Sequence, residues 1–577
     1  MAYQARHFAP TNQEAPEAEQ PEDLLGYESS QLAENNEDDA SPAEGAADQA
    51  ETRDAQVGRS AALMSVLVII SRLTGFLRTW GQAYALGVTV TASCYSVANN
   101  LPNQLYELVI GGMLVTAFLP VYQSVKKEKG TKGASDYTSN LVSIVLVLMG
   151  AVTVLGIIFA AQVVWTQSFS ASADFDADLA TYFFRFFVIE VVLYALSSIF
   201  SGVLNAERDY FWSSAAPIFN NFVTTASFLA YAFLVDTKPQ LALVLLALGN
   251  PLGVAVQVIM QMPSLRKHGI RLRPHINLRD PALKDTLSIG IPSLIVMVCS
   301  FVTVSVMNSS ALSVTAVGAS VSYYARLWYT LPYAILAVPI TTAMFTELSD
   351  DVARGDMDSY REGVTSGTAK IIFLMIPFMM YLMVFASPLI TMLAAGKFSD
   401  ADIAMTASYL RALAASLPVY GVCMYLQKVC SSLRRMGLFA VANVVAAGIQ
   451  VAICLFATPI FGLDMVAYSS AFFFLAVDIV TFASLRSTLK RVGLGSITAS
   501  IVRAALFGLA GAVAGAGVLI LLSRVIGPIG QSISRAFIFT VAGGIPSVIV
   551  TFGIALVTHS PETDVVRNLV GRLLRRR

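Results

Sequence analysis

From Ser60 onward the chain alternates long apolar segments with short polar connections. Fourteen of the segments, from 60–86 to 534–558, are long enough to cross a bilayer. The pattern predicts an all-α polytopic membrane protein of about 14 transmembrane helices. The connections give an independent test. Counted from the N-terminus, the even-numbered ones hold Lys126, Lys127, Lys129 and Lys132, then Arg208, then Arg266 to Arg279, Arg354 and Arg361, Arg434 and Arg435, and Arg486 with Lys490 and Arg491. The odd-numbered ones are poor in basic residues, with Arg524 and Arg535 as exceptions. Basic connections stay in the cytoplasm, so both termini are expected there.

The longest basic connection, 262–283, contains Pro263, Pro274 and Pro281 and divides the chain after six spans. It predicts an N-terminal lobe at 60–261, a cytoplasmic linker at 262–283 and a C-terminal lobe at 284–487. Spans 13 and 14 and a basic tail then occupy 488–577. A weak repeat supports two lobes: Leu101-Pro102 leads to Thr116-Ala117-Phe118-Leu119, and Leu331-Pro332 leads to Thr342-Ala343-Met344-Phe345, the intervals differing by about one helical turn. The two spans start from the same side, which implies parallel lobes with a cavity between them. The glycines of the last two spans, Gly508, Gly511, Gly515, Gly517, Gly543 and Gly544, suit either close helix packing or a groove for a lipid chain.

Composition agrees with the pattern: 55% of residues are hydrophobic and 13% charged, against about 25% charged in soluble domains. The net charge of zero conceals two opposite parts. Residues 1–59 hold three Arg against fourteen Asp and Glu, and the remainder carries 35 basic and 24 acidic residues. Rich in Glu, Asp, Ala, Gln and Pro, the first 59 residues cannot bury enough surface to offset their ordering entropy, and are expected to form a disordered acidic cytoplasmic tail open to a cytoplasmic partner. The final Arg572, Arg575, Arg576 and Arg577 would lie beside anionic lipids. Five scattered cysteines lack metal-site spacing, and there is no phosphate loop or nucleophile elbow. No enzyme, cofactor, metal or nucleic-acid partner is expected.

Charges inside lipid-length sequence carry the functional signal, because a charge at bilayer depth persists only where it faces protein or water. Arg72 lies twelve residues into the first segment, roughly 18 Å along a helix. With Arg78, Ser71, Thr74, Gly75, Thr79 and Gln82 it forms a polar wedge, read as lining a cavity. Arg185 and Glu190 are five residues apart, poorly placed to pair on one helix, and each requires a partner elsewhere. Glu107 is a candidate partner for an arginine of span 1 or 4, and Arg326 projects from the second lobe. Lys370, Arg411 and Asp478 are read as interfacial or structural. Several deep cations against few carboxylates suggest an anionic substrate, and the guanidinium fork suits pyrophosphate.

The motif Ser71-Arg72-x-x-Gly75-Phe76-x-Arg78, followed by Leu101-Pro102-Asn103, Gly112 and Ala117-Phe118-x-Pro120, resembles the MurJ (MviN) lipid II flippases of the multidrug/oligosaccharidyl-lipid/polysaccharide exporter superfamily. Tyr323-Tyr324-Ala325-Arg326-Leu327 with Pro332, and Gly396-Lys397-Phe398, extend the likeness, which covers 60 to about 560. The resemblance implies two six-helix lobes plus a C-terminal helix pair. It also implies transfer of a polyprenyl-pyrophosphate-linked peptidoglycan precursor across the cytoplasmic membrane by alternating access. Arg72 and Arg78 match the family's span 1 arginines, and Arg326 its span 8 arginine with a one-residue shift. The family's acidic residue between spans 1 and 2 falls on Ser93, and its span 2 arginine on Tyr106; Glu107, Arg185 or Glu190 are the candidates to compensate or to couple transport. The alternatives are an exporter of another polyprenol-linked glycan, a drug or cation antiporter of the same superfamily, and a membrane scaffold.

Overall fold

The computed structural model describes residues 66–394, 396–489 and 493–562; the acidic segment 1–59 and the terminal arginines lie outside the described residues. Among these residues the chain is helix and turn, without strand. The first rods are α1 (66–86) and α2 (Val90–Tyr106), a π-turn at Glu107–Gly111, and α3 (Gly112–Ile158) with α4 (Ala160–Trp165). α3 is bent at Gly130, whose φ of 66° is a left-handed conformation that favours glycine. α5 (Ala177–Phe187) and α6 (Glu190–Ala206) form one broken rod, followed by α7 (Tyr210–Leu234) and α8 (Pro239–Lys267).

An extended segment leads to α9 (Pro281–Val314), α10 (Gly318–Pro332), a second π-turn at Tyr333–Ala337 and α11 (Val338–Arg354). Then come α12 (Met357–Val384), α13 (Ala386–Thr391), α14 (Asp400–Ala414), α15 (Leu417–Ser432) and α16 (Met436–Ala452). A third π-turn at Ile453–Ala457, α17 (Thr458–Phe461), α18 (Leu463–Leu489), α19 (Leu494–Val525) and α20 (Ile533–Val557) complete the order.

Ten helices among the described residues are long and apolar enough to cross a membrane, or eleven if α14 and α15, bent by 48°, form one span. The expected spans outside this set are α1, α2 and α7. α2 has 17 residues before its π-turn, and the other two carry Arg72 and Arg78 or Asn220 and Asn221. The two π-turns of the internal repeat each end five residues before its Thr-Ala pair, at Thr116 and at Thr342. The repeat is in register at the π-turns. Its one-turn mismatch arises because Pro102 sits five residues ahead of its turn and Pro332 one.

Buried apolar side chains form two large cores. One is built from Ala85 to Ile270 with Leu312, Ala316 and Ala319, and the other from Val306 to Leu489 with Ala83 and Val88. They are joined at the end carrying the basic-poor connections. There Tyr324 donates to the Gly87 carbonyl at 3.0 Å, the Ser320 amide donates to Ser93 Oγ at 3.1 Å, and the Ser172 amide to the Leu312 carbonyl at 2.9 Å. Gly87 and Gly396 make this approach feasible: both have positive φ, and a Cβ on Gly87 would sit 2.8 Å from the Lys397 carbonyl while one on Gly396 would meet that of Tyr84.

The basic end is fastened differently. Residues 271–277 run along α3, where Ser139 Oγ accepts from the Arg273 amide at 3.2 Å and Asn140 Oδ1 from the Asn277 amide at 2.7 Å. Glu207, just past α6, takes Lys126 Nζ at 2.6 Å and the Tyr122 hydroxyl at 2.7 Å, while His268 lies between Glu207 and Asp209. Burial pushes the Glu207 carboxyl up, but the bonds from Lys126 and Tyr122 outweigh it and hold the group below the usual carboxylate range.

α19 and α20 pack on α12 and α13 through small residues. A Cβ on Gly508 would lie 3.0 Å from Pro377 Cα, and one on Gly543 would lie 2.6 Å from Phe385 Cε1. Gly544 faces open space instead and lines a groove.

Candidate functional site

The polar wedge of α1 is divided by its surroundings. Thr74, Thr79 and Gln82 are buried, and Asn221 of α7 donates to Thr74 Oγ1 at 3.1 Å and to the Ser71 carbonyl at 3.3 Å. Gly75 and Gly81 allow α7 this close, with Asn221 and Thr225 against them. That half of the wedge holds two helices together. Arg72 is exposed, and Arg78 is half-buried on the side toward α10.

Arg78 lies eight residues from the end of α1, and Arg326 eight residues from the start of α10, at the end where these two segments meet. Each is therefore about 12 Å from the joined end, in a bilayer core about 30 Å thick. The Arg78 guanidinium hydrogen-bonds the Tyr323 hydroxyl of α10 and lies within electrostatic reach of Tyr95 and Tyr194. Arg326 is exposed, with Tyr329, Tyr409 and Tyr420 as its electrostatic neighbours. Phenols can solvate a cation without neutralising it.

Glu190 is completely buried at the first residue of α6. Just before it Val188 and Ile189 keep right-handed helical φ/ψ, and Thr153 of α3 donates to the Val188 carbonyl at 3.4 Å. Asn250 Nδ2 donates to both carboxylate oxygens at 3.0 Å, and the Tyr194 hydroxyl donates at 3.0 Å. Asn250 also reaches Asn99 Oδ1. Arg78 and Glu190 attract each other without a direct hydrogen bond.

The structure thus brings Arg78 and Glu190 together but keeps Arg185 apart, exposed on α5. Glu107 is exposed where the first π-turn begins, with Tyr106 as its electrostatic neighbour, and the expected pairing with an arginine of span 1 or 4 is not formed. Tyr106 bonds Ser198 and tilts against Tyr194 with ring centroids 6.2 Å apart. Ser93 Oγ accepts from the Ser320 amide of α10. Lys370 is half-buried, Arg411 exposed, and Asp478 buried with one oxygen lacking a hydrogen bond. Sequence reasoning passed over Asn99, Asn250 and Asn221. The signal was present, since amides inside apolar segments require partners.

Beside the arginines, Phe76 of α1 meets Trp328 of α10 edge to face. Trp328 is also the first wall of a groove of about 320 Å³ continuing along Ile335, Phe378, Phe385, Gly544 and Val548. Apart from Thr540 and the ring nitrogen and hydroxyl of its aromatics, its lining side chains are apolar. The arrangement offers two chemistries side by side: guanidinium groups at bilayer depth and a trough suited to a hydrocarbon chain.

The family model for lipid II flippase MurJ matches residues 82–534 of this chain. Similar proteins include the probable lipid II flippase MurJ of Borreliella burgdorferi, 23% identical over 425 residues, covering 73% of this chain and 82% of that one. The lipid II flippase MurJ of Burkholderia cenocepacia is 27% identical over 372 residues, covering 63% and 70%. Among solved structures, lipid II flippase MurJ in an inward closed conformation superposes with a TM-score of 0.69 at 18% identity, covering 86% of this chain and 99% of that one. An inward-facing multidrug resistance MATE family transporter of the MOP superfamily gives 0.55 at 15% identity, covering 74% and 94%. At these identities the structural likeness concerns the fold.

Proposed function

This chain belongs to the lipid II flippase MurJ family, and on that premise we propose that it moves a polyprenyl-pyrophosphate-linked peptidoglycan precursor across the cytoplasmic membrane by alternating access. The observation that carries the reading is Arg78, half-buried about 12 Å from the joined end and held by phenols. Arg78 binds the pyrophosphate, Arg326 approaches it from the facing helix at the same depth, and Arg72 lies on the path from the basic end. The prenyl chain lies in the groove beside Trp328.

The same reading sets the topology. Fourteen helices cross the bilayer, the polar rods α1, α2 and α7 included, in two six-helix lobes with α19 and α20 outside them. Both termini are cytoplasmic, the terminal arginines rest against anionic lipids, and the tail at 1–59 is dispensable for transport and free to bind a cytoplasmic partner. With the outer ends joined, substrate enters from the cytoplasm. A second substrate, another polyprenol-linked glycan, is favoured by Tyr106, which stands where the family has an arginine.

The test is transport by the purified protein in vesicles, with lipid II and a second polyprenyl-pyrophosphate glycan, together with rescue of cells depleted of their own flippase. Rescue and lipid II flipping that are lost in Arg78→Ala support the reading. Flipping of the second glycan alone reassigns the substrate. Full flipping by Arg78→Ala and Arg72→Ala overturns the site.

A further inference from the structure

Glu190 shares its pocket with few charges. The titratable and charged groups facing it are Tyr194 on its own helix, Tyr95 from α2 and Arg78 from α1. α8 presents Asn250, α2 adds Asn99, and α7 contributes Thr224, whose hydroxyl is 3.5 Å from Asn250 Oδ1. The Arg78 guanidinium lies within electrostatic reach of the Glu190 carboxyl, with no hydrogen bond between them.

We propose that binding of a pyrophosphate at Arg78 is coupled to uptake of one proton by Glu190. The proposal rests on the reading above, in which Arg78 holds the pyrophosphate. A bound pyrophosphate would leave two anionic groups around one guanidinium, in surroundings with little water to screen them. A proton from water, converting the carboxylate to a carboxylic acid, removes that conflict and needs no other reactant. The pocket accommodates both forms, because the Tyr194 oxygen can accept from a carboxylic acid as its hydroxyl donates to a carboxylate.

A chain of hydrogen-bonded polar side chains runs from the Glu190 pocket toward the basic end. From Asn250 a line of polar side chains runs through Thr224 to Asn220 at 3.2 Å, Gln257 at 3.0 Å, Ser197 at 2.8 Å, Gln261 at 3.0 Å and Ser201 at 2.9 Å. Glu190 to Ser201 is eleven residues of α6, about 16 Å toward the basic end. One turn beyond Gln261, Ser264 donates to Asp209 beside His268. This polar line through otherwise apolar helices is the path along which the pocket communicates with the basic end.

Linkage makes the coupling reciprocal: if the anion raises proton affinity at Glu190, the proton raises anion affinity by the same factor. The experiment uses the full chain in nanodiscs and a water-soluble short-chain prenyl-diphospho-N-acetylmuramoyl peptide, a pyrophosphate diester with no phosphate proton titrating near neutrality. Binding is measured calorimetrically across pH in two buffers of different ionisation enthalpy. Wild type should take up about one proton where Glu190 is ionised, and lose about tenfold in affinity per pH unit above its titration. Glu190→Gln should bind with no proton uptake and no such dependence. Tyr194→Phe removes the hydroxyl that stabilises the carboxylate and should move the midpoint to higher pH. Binding by wild type without proton uptake, uptake by Glu190→Gln, or an unmoved midpoint in folded Tyr194→Phe overturns the coupling alone. Absence of binding by wild type overturns the pyrophosphate site and the coupling with it.

Discussion

Phe76 and Trp328 meet edge to face with ring centroids 5.6 Å apart, each ten residues from the end at which α1 and α10 are joined. The two segments are thereby held over about 15 Å, and beyond this pair Arg72, Leu73 and Ile335 are exposed. Trp328 stands between the arginines and the apolar groove.

Trp328→Ala should therefore discriminate by chain length. It removes groove wall, so binding of a long-chain prenyl pyrophosphate should weaken about tenfold, or about 1.4 kcal/mol, with little change for a short-chain analogue. The measurement is the ratio of the two dissociation constants. Equal loss for both chains would count against the groove.

Arg78→Lys should impair binding nearly as much as Arg78→Ala, because an ammonium keeps the charge but lacks the planar fork that grips a pyrophosphate. A charged hydrogen bond contributes about 1.5 to 3 kcal/mol, so a loss of about 10- to 100-fold is expected at unchanged melting temperature. A parallel fall in melting temperature would instead mark Arg78 as a partner that Glu190 needs for folding. Full binding by the lysine variant would reduce the role to charge alone.

The Ser320 amide lies 3.1 Å from Ser93 Oγ, which puts the two backbones within disulfide range. Cysteines at both positions should cross-link on oxidation, stop flipping, and release it on reduction. The native cysteines are all buried and unpaired, which favours the engineered pair. Cross-linked protein that still flips would show that this end need not open.

Glu207 gives a pH dependence with a definite sign. Its folded carboxyl sits below the ordinary value of 4.5, so the stability it contributes is complete above about pH 4.5 and is lost as pH falls through the lower folded value. Glu207→Gln should melt earlier at pH 7, by about 1 to 2 kcal/mol because Lys126 is partly solvated, and the difference from wild type should shrink in acid. A gap unchanged down to pH 3 would remove the charge from the explanation.

The membrane orientation can be tested with an impermeant thiol reagent on intact cells. Ser135 is buried against the Arg271 backbone and is a poor label site, whereas Lys132 and Asp174 are exposed at opposite ends. A cysteine at Asp174 should label and one at Lys132 should not. The reverse pattern would invert the protein.

Helix positions were legible because apolar runs and the alternation of basic connections are local properties of the chain. Arg78 stood out for a similar reason: a charge deep in an apolar segment is visible from the sequence alone. Its surroundings were not legible. Glu190 reaches Asn250 across 60 residues and Ser93 meets Ser320 across 227, and neither spacing leaves a mark on a helical wheel. The wedge was over-read for the same reason, since Thr74 pairs with Asn221 across 147 residues.

The π-turns at Glu107–Gly111 and Tyr333–Ala337 store slack in the two corresponding rods. A π-turn holds one residue more than the α-turn it replaces, so winding it back to α would act as a screw. The distal segment would rotate by about 100° and shift by about 1.5 Å without moving its far end sideways. Such a movement would turn the segment after Gly111 and the face of α11 together, as matched threads turned by the same step, while the Gly87 and Gly396 joint stays seated.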